Sequence, residues 1–293
     1  MSSIKVGFIG MGNMGMPMAR SIVKRGIPLT VYDLNKETVE EMKSLGAAAA
    51  SSCREVAEAS DAIFSMVRDI PQTDEVIFGK DGVWEGIKEG SIIIISSTVG
   101  PTYCQELYAK AKEKGVQVVD VGVSKSIPTN EEGKLTLMIG GDDDAVKRCW
   151  PAFEAMAMYI FHVGGTGKGQ AYKLVNNMAV FNLGTVTREC LNLGLKAGLD
   201  LQTMIDVMQV STGGSWGLQN MSHMLKSGRR MPQPPAPPPG QTAPRNLGNK
   251  DMDLAIEMAD AVGANVPVAR FMEELDTGKA YDAYSKKMQE LMR

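Results

Sequence analysis

Three side chains within little more than one helical turn offer the chemistry this chain can do. Gly164–Asn177 reads Gly-Gly-Thr-Gly-Lys-Gly-Gln-Ala-Tyr-Lys-Leu-Val-Asn-Asn, glycine-rich at first and then helical. Residues three and four apart share a helix face, so Lys173, Asn176 and Asn177 point toward one small volume. An ammonium and two amides converging there could hold and protonate a polar carbonyl compound. The same spacing also suits a solvated helix face, so the rest of the chain has to decide. Strand and helix signals alternate before this stretch, and almost only helix signals follow it. The stretch therefore falls where two domains meet, a common place for a cleft.

The elements that must position it begin at the N-terminus. Ile4–Ile9 reads as a buried strand and runs into Gly10-Met11-Gly12-Asn13-Met14-Gly15, a GxGxxG turn, with a helical segment at Met16–Arg25 behind it. Strand, glycine turn and helix in this order define a dinucleotide cradle. The first glycine permits the tight turn, the second lets a pyrophosphate approach the backbone, and the third lets helix and strand pack closely. The helix N-terminus supplies N–H groups and a partial positive charge to the phosphates. A second strand, Pro28–Tyr32, ends at Asp33, at the spacing expected of a carboxylate that bonds an adenosine ribose. A carboxylate there repels a 2′-phosphate, which favours NAD (NADH) over NADP; Lys36 keeps NADP as the lesser alternative.

Further strand candidates are Asp61–Val67, Ser91–Ser96, Val116–Val121, Leu135–Gly140 and Tyr159–Val163, separated by helical spacers. This predicts an α/β fold: an N-terminal Rossmann-type, doubly wound parallel sheet over residues 1–165, then an all-α C-terminal domain over 166–293 that begins with a long interdomain helix. Ligands of such sheets bind beyond the carboxyl ends of the strands. Three post-strand segments are therefore candidates: Met66-Val67-Arg68-Asp69, with Val67 and Arg68 toward the cofactor; Ser96-Ser97-Thr98-Val99-Gly100-Pro101; and Asp120 through Ser124-Lys125-Ser126. Each would also serve as a plain polar loop.

Composition narrows the classes. Of 293 residues, 44% are hydrophobic and 22% charged, as in ordinary globular chains, and the net charge of -3 gives no basic field for nucleic acid. Four cysteines without a CxxC pair argue against a disulfide scaffold or zinc knuckle and fit a reducing, cytoplasmic compartment. The strand pattern entered at Ile4 leaves no room for a signal peptide, and no apolar run is long enough to span a bilayer. The two histidines, His162 and His223, sit in no metal-binding motif.

Together these segments resemble the β-hydroxyacid dehydrogenase family, which includes 3-hydroxyisobutyrate dehydrogenase and tartronate semialdehyde reductase. The likeness runs over nearly the whole chain: the N-terminal Gly-Phe-Ile-Gly-Met-Gly-Asn-Met-Gly, Asp120 through Gly141, Gly164 through Asn177, and Lys250-Asp251 followed by Leu254-Ala255. The resemblance implies Lys173 as general acid/base, Ser124 binding the substrate carboxylate or hydroxyl, Asn177 orienting the substrate, Thr98 beside the nicotinamide, and Lys250 closing over cofactor and substrate with Asp251 nearby. A free lysine has a pKa near ~10.4, so one serving as base needs a depressed value, whereas as an acid it needs less adjustment. The resemblance and the apolar helical half both point to a homodimer or homotetramer.

The sequence departs from the family where substrate is chosen. The usual Gly-Gly after the motif serine is Lys125-Ser126, and the preceding prolyl position is Gly122. The sulfolactaldehyde reductase branch also has a basic and then a hydroxyl residue there. Ala243 stands where many members have phenylalanine, and Arg245 where leucine is common. Lys125 and Arg245 are thus candidates to bind a second anionic group, or else are exposed and screened. Met231–Gly240 is so rich in proline that it must be a loop. The expectation is an NAD-dependent oxidoreductase interconverting a small 3-hydroxy acid and its semialdehyde. The alternatives are a reductase of an aldehyde with an anionic tail and a non-catalytic dinucleotide-binding module. Lys173 with Asn177 argues against the module and against an imine-reducing relative, and the C-terminal half is short for a 6-phosphogluconate-type enzyme.

Overall fold

The computed structural model describes residues 4–126, 132–227, 247–275 and 280–292. The proline-rich segment, Ala243 and Arg245 lie outside them. Two compact units divide at Lys173/Leu174.

The first unit is built on an eight-stranded sheet: β1 (Val6–Ile9), β2 (Leu29–Tyr32), β3 (Ala48–Ala49), β4 (Ala62–Ser65), β5 (Ile92–Ile95), β6 (Gln117–Lys125), β7 (Leu135–Gly140) and β8 (Ala157–Gly164). Their order is β3-β2-β1-β4-β5-β6-β7-β8, so strand order reverses between β1 and β4, beside the glycine turn. Alternate residues serve opposite faces. Phe8, Phe64, Ile92 and Ile94 join Met18, Ile22, Met42 and Phe153 in one core. Ile9, Ile63, Ile93 and Ile95 join Val56, Ile77, Cys104 and Leu107 in the other. The first core is covered by α1 (Gly15–Lys24), α2 (Lys36–Ser44) and α7 (Asp143–Met156); the second by α3 (Cys53–Ala59), α4 (Ile70–Phe78), α5 (Val83–Gly86) and α6 (Pro101–Glu113). Burial on both faces is why these strands read as unbroken apolar runs.

The sheet departs from the expected all-parallel one at β7, which runs antiparallel to β6. The nine residues that separate the two strands in sequence are fewer than a parallel crossover requires, and the two strands pair antiparallel. A second departure is the length of β6, which continues to Lys125 rather than ending at Val121.

The long helix α8 spans Lys168–Lys196, opening in the first unit and continuing in the second. The second unit continues with α9 (Leu201–Val210), α10 (Trp216–Ser227), α11 (Leu247–Val262), α12 (Pro267–Glu274) and α13 (Asp282–Met292). Leu191, Leu201, Ile205, Leu218 and Met288 form one small core there, with Met221 packed against it. Met252, Ile256 and Ala269 form another. No helix among the described residues is long and apolar enough to cross a membrane.

Candidate functional site

The glycine turn divides its three positions by what a side chain would meet. A Cβ on Gly10 would lie 2.4 Å from the Met66 carbonyl, and Gly10 has φ +89, a conformation that favours glycine. A Cβ on Gly15 would lie 2.1 Å from the Gly10 carbonyl. Both glycines are required by the chain's own packing. A Cβ on Gly12 would meet no protein atom within 4 Å, so nothing inside the fold explains that glycine, whereas a ligand drawn close to the backbone does. Behind the turn, α1 starts with no side-chain cap at Met14 and no acidic residue in its first turn, leaving N–H groups for an anion. Gly12 and Asn13 are exposed and Met11 is buried. Asp33 sits where the sequence placed it, at the end of β2 against the turn. Its Oδ2 accepts the Met11 N–H at 2.6 Å and its Oδ1 the Asn35 N–H at 2.8 Å. These residues fit a dinucleotide.

The post-strand segments are tied together. The Val67 N–H donates to Ser97 Oγ at 2.9 Å, joining the loop after β4 to the loop after β5. Arg68 N–H donates to Gln72 Oε1 at 3.1 Å, and Asp69 caps α4 through the Gln72 N–H at 3.0 Å. Thr98 stands between Ser97 and Val99, both bonded to the Gln170 side chain.

The start of α8 lies directly on β6 and β7. Asp120, with no exposed surface, accepts the N–H of Gly167 on Oδ1 at 2.5 Å and that of Gln170 on Oδ2 at 2.7 Å. Burial pushes this carboxyl up to about 6, opposed by the amides of Gly167, Gln170 and Gly169. The approach is close because side chains are missing. A Cβ on Gly169 would lie 2.5 Å from the Met138 carbonyl, and one on Gly122 would lie 2.7 Å from Lys173 Cβ. The glycine at 122, a departure from the prolyl pattern, is therefore the room into which the Lys173 stem fits. Asp120, Gly122 and Ser124 alternate on one face of β6, so Ser124 shares the face that receives Lys173.

Lys125 does not join them. As the next residue of the same strand it takes the face of Val121 and Val123, within the first core. Burial lowers its pKa. Ser126 lies past the strand end, its Oγ 2.8 Å from Thr136 Oγ1.

In the second unit, the Asn177 amide donates to Asp251 Oδ2 at 2.7 Å, and Lys250 Nζ stands 3.1 Å from Asp251 Oδ1. Asp251 thus links the two residues that the sequence singled out there. Sequence reasoning missed Gln170 and Ser97. Both bond to partners that are distant along the chain, and no spacing rule reports that.

Comparisons with known proteins support the fold and the binding of a dinucleotide. Residues 5–164 match the NAD binding domain of 6-phosphogluconate dehydrogenase, and residues 167–292 match the NAD-binding domain of NADP-dependent 3-hydroxyisobutyrate dehydrogenase. The chain is similar to an NAD-dependent L-serine dehydrogenase of Pseudomonas aeruginosa, 33% identical over 90% of this chain and 88% of that one. It is also similar to a 2-(hydroxymethyl)glutarate dehydrogenase of Eubacterium barkeri, 33% identical over 94% of this chain and 89% of that one. Among solved structures, a 3-hydroxyisobutyrate dehydrogenase from Salmonella typhimurium superposes with a TM-score of 0.79, at 26% identity, over 98% of this chain and 99% of that one.

Proposed function

The chain belongs to the β-hydroxyacid dehydrogenase family, and from that premise we propose that it interconverts a 3-hydroxy acid and its semialdehyde with NAD as hydride carrier and Lys173 as general acid/base. The observation that carries the proposal is the seat of Lys173. Its helix is bound by a buried carboxylate within β6, opposite the end of β7, and its stem fills the space left by Gly122.

The glycine turn, the first turn of α1 and Asp33 would hold the dinucleotide, and Val67, Arg68 and Thr98 would border its nicotinamide end. When bound, the nicotinamide supplies a hydride acceptor. The chain's own residues do the rest. Ser124 offers a hydroxyl to the substrate carboxylate or hydroxyl. The family resemblance gives Asn177 the role of orienting the substrate and Lys250 a part in holding cofactor and substrate. In oxidation, the Lys173 amine would accept the substrate O–H proton as the hydroxyl-bearing carbon becomes an aldehyde. In reduction, the ammonium returns the proton to the forming alkoxide. A carboxylate on Asp33 favours NAD over NADP by repelling a 2′-phosphate.

The names of the relatives supply a substrate class. L-Serine, 3-hydroxyisobutyrate and 2-(hydroxymethyl)glutarate share HOCH2–CH(R)–COO⁻ and differ in R. We place this chain's substrate in that class. A second reading, in which R carries an anion held by Lys125 and Arg245, is weakened by the position of Lys125 on the strand face opposite Ser124. A panel of such acids and their semialdehydes, followed by NADH absorbance, tests the proposal, with Lys173→Ala as control. Turnover of at least one member by the wild type, and its loss in the variant, is expected. Equal turnover by the two proteins removes the mechanism.

A further inference from the structure

Gln170 has no exposed surface, and its polar atoms are engaged with two separate parts of the fold, the loop after β5 and Asp120 of β6. Its Oε1 accepts the N–H groups of Val99 at 3.0 Å and Gly100 at 3.2 Å. Its Nε2 donates to the Ser97 carbonyl at 3.0 Å. Its backbone N–H donates to Asp120 Oδ2 at 2.7 Å. Ser97, in turn, accepts the Val67 N–H on its hydroxyl. The loop at 96–101 and Asp120 within β6 are therefore joined through Gln170 to the turn of α8 that carries Lys173, and the segment at 66–69 is tied to the same loop through Ser97.

Thr98 lies inside the span that this amide brackets, flanked by the Ser97 carbonyl and the Val99 N–H. Lys173 lies three residues after Gln170 on the same helix, so it rises from the same side one turn later. Displacing the loop relative to the helix would leave two N–H groups and a carbonyl unpaired in a buried place, a state that folded chains avoid. A loop needing only to be anchored could be held from its own neighbours. Here the anchor is instead the helix that bears the proton-transfer group.

We propose that Gln170 is a positioning residue that fixes the Thr98 loop against the Lys173 turn, so that hydride transfer and proton transfer meet on one substrate carbon–oxygen bond. This rests on the assignment of Lys173 as acid/base. Reacting groups need alignment within about an ångström, and a misplacement of that size costs about 100-fold in rate.

The test uses the full-length protein and the best-oxidised hydroxy acid of the panel, with and without deuterium on the hydroxyl-bearing carbon. Gln170→Met keeps the side-chain length and removes all three side-chain bonds. Gln170→Glu keeps the acceptor for Val99 and Gly100 and loses the donor to Ser97. Gln170→Met should lower kcat about 10- to 100-fold. Its dinucleotide Kd, read by NADH fluorescence, should stay within about threefold of wild type, because the phosphate cradle is elsewhere. The deuterium isotope effect on kcat should be expressed in full. Gln170→Glu should fall between Gln170→Met and wild type, and it decides the question if Gln170→Met does not fold. Wild-type kcat and isotope effect, with only a lower Tm, would overturn the inference while a dead Lys173→Ala leaves the acid/base assignment standing. An active Lys173→Ala, or a panel with no substrate, would remove that assignment and this inference with it.

Discussion

Gly12→Ala separates binding from folding at the glycine turn. Gly12 lies outside the left-handed region, and a methyl group there meets nothing in the protein within 4 Å. Folding should therefore be unharmed, or favoured by about 0.4–1 kcal/mol through a less flexible unfolded chain. The methyl group projects into the space assigned to the pyrophosphate, so NAD affinity should fall about 10- to 100-fold, roughly 1.4–2.8 kcal/mol. At 100 times the wild-type Kd, NAD stabilises the wild type by about 2.7 kcal/mol and the variant by roughly 0.4–1.4 kcal/mol. For a unit of this size, the wild-type rise in Tm is roughly 5–10 °C, and that of the variant about half or less. Gly15→Ala is the contrasting case. Its Cβ would collide with the Gly10 carbonyl at 2.1 Å, and overpacking of this kind costs about 1–3 kcal/mol before any ligand is added. Thermal denaturation with and without NAD, together with NADH fluorescence titration, reads both terms. Wild-type NAD affinity in Gly12→Ala would show that the dinucleotide does not lie against this turn.

Asp120 has a folded-state pKa raised from 3.8 to about 6, so its favourable contribution is complete below the unfolded value and is lost as pH rises through the folded one. The stability advantage of wild type over Asp120→Asn, from urea denaturation at pH 4 and pH 7.5, should shrink by about 2 kcal/mol across that range; a pH-independent difference contradicts this. The carboxylate of Asp33 predicts kcat/KM for NAD at least about tenfold above that for NADP, and a narrower gap in Asp33→Asn; a wild type that prefers NADP refutes it. Because Lys125 takes the strand face opposite Ser124, Ser124→Ala should lower kcat/KM for the hydroxy acid about tenfold or more, the loss of a hydrogen bond to a charged group. Lys125→Ala should alter the diacid-to-monoacid ratio by less than about threefold, in line with a screened charge. A diacid-specific collapse in Lys125→Ala would restore the anionic-tail reading.

What the sequence disclosed was whatever the backbone itself demands. Gly10 and Gly15 have no space for a side chain, and Asp200, a residue type that suits a helix cap, accepts the Thr203 N–H at 2.8 Å to start α9. Gly194 likewise has no space for a side chain, since a Cβ there would meet Met204 Sδ at 2.1 Å. The two-residue β3 is too short for a periodic signal. The antiparallel run of β7 was hidden because an apolar run has no direction. Lys125 was grouped with Ser124 because β6 was expected to end at Val121; four further residues of strand put the two side chains on opposite faces. Gln170 was invisible for a different reason. A buried amide is recognised by its partners, and Ser97 and Val99 lie more than 70 residues away along the chain.

The central claim is that the Lys173 amine moves the proton while hydride leaves the substrate. A single-turnover measurement of NADH formation by stopped flow, with NAD saturating and the best panel hydroxy acid in both proteins, tests it most directly. Lys173→Ala should bind NAD as wild type does and form NADH about 10²–10⁴-fold more slowly. NADH formation at the wild-type rate in Lys173→Ala would contradict the account.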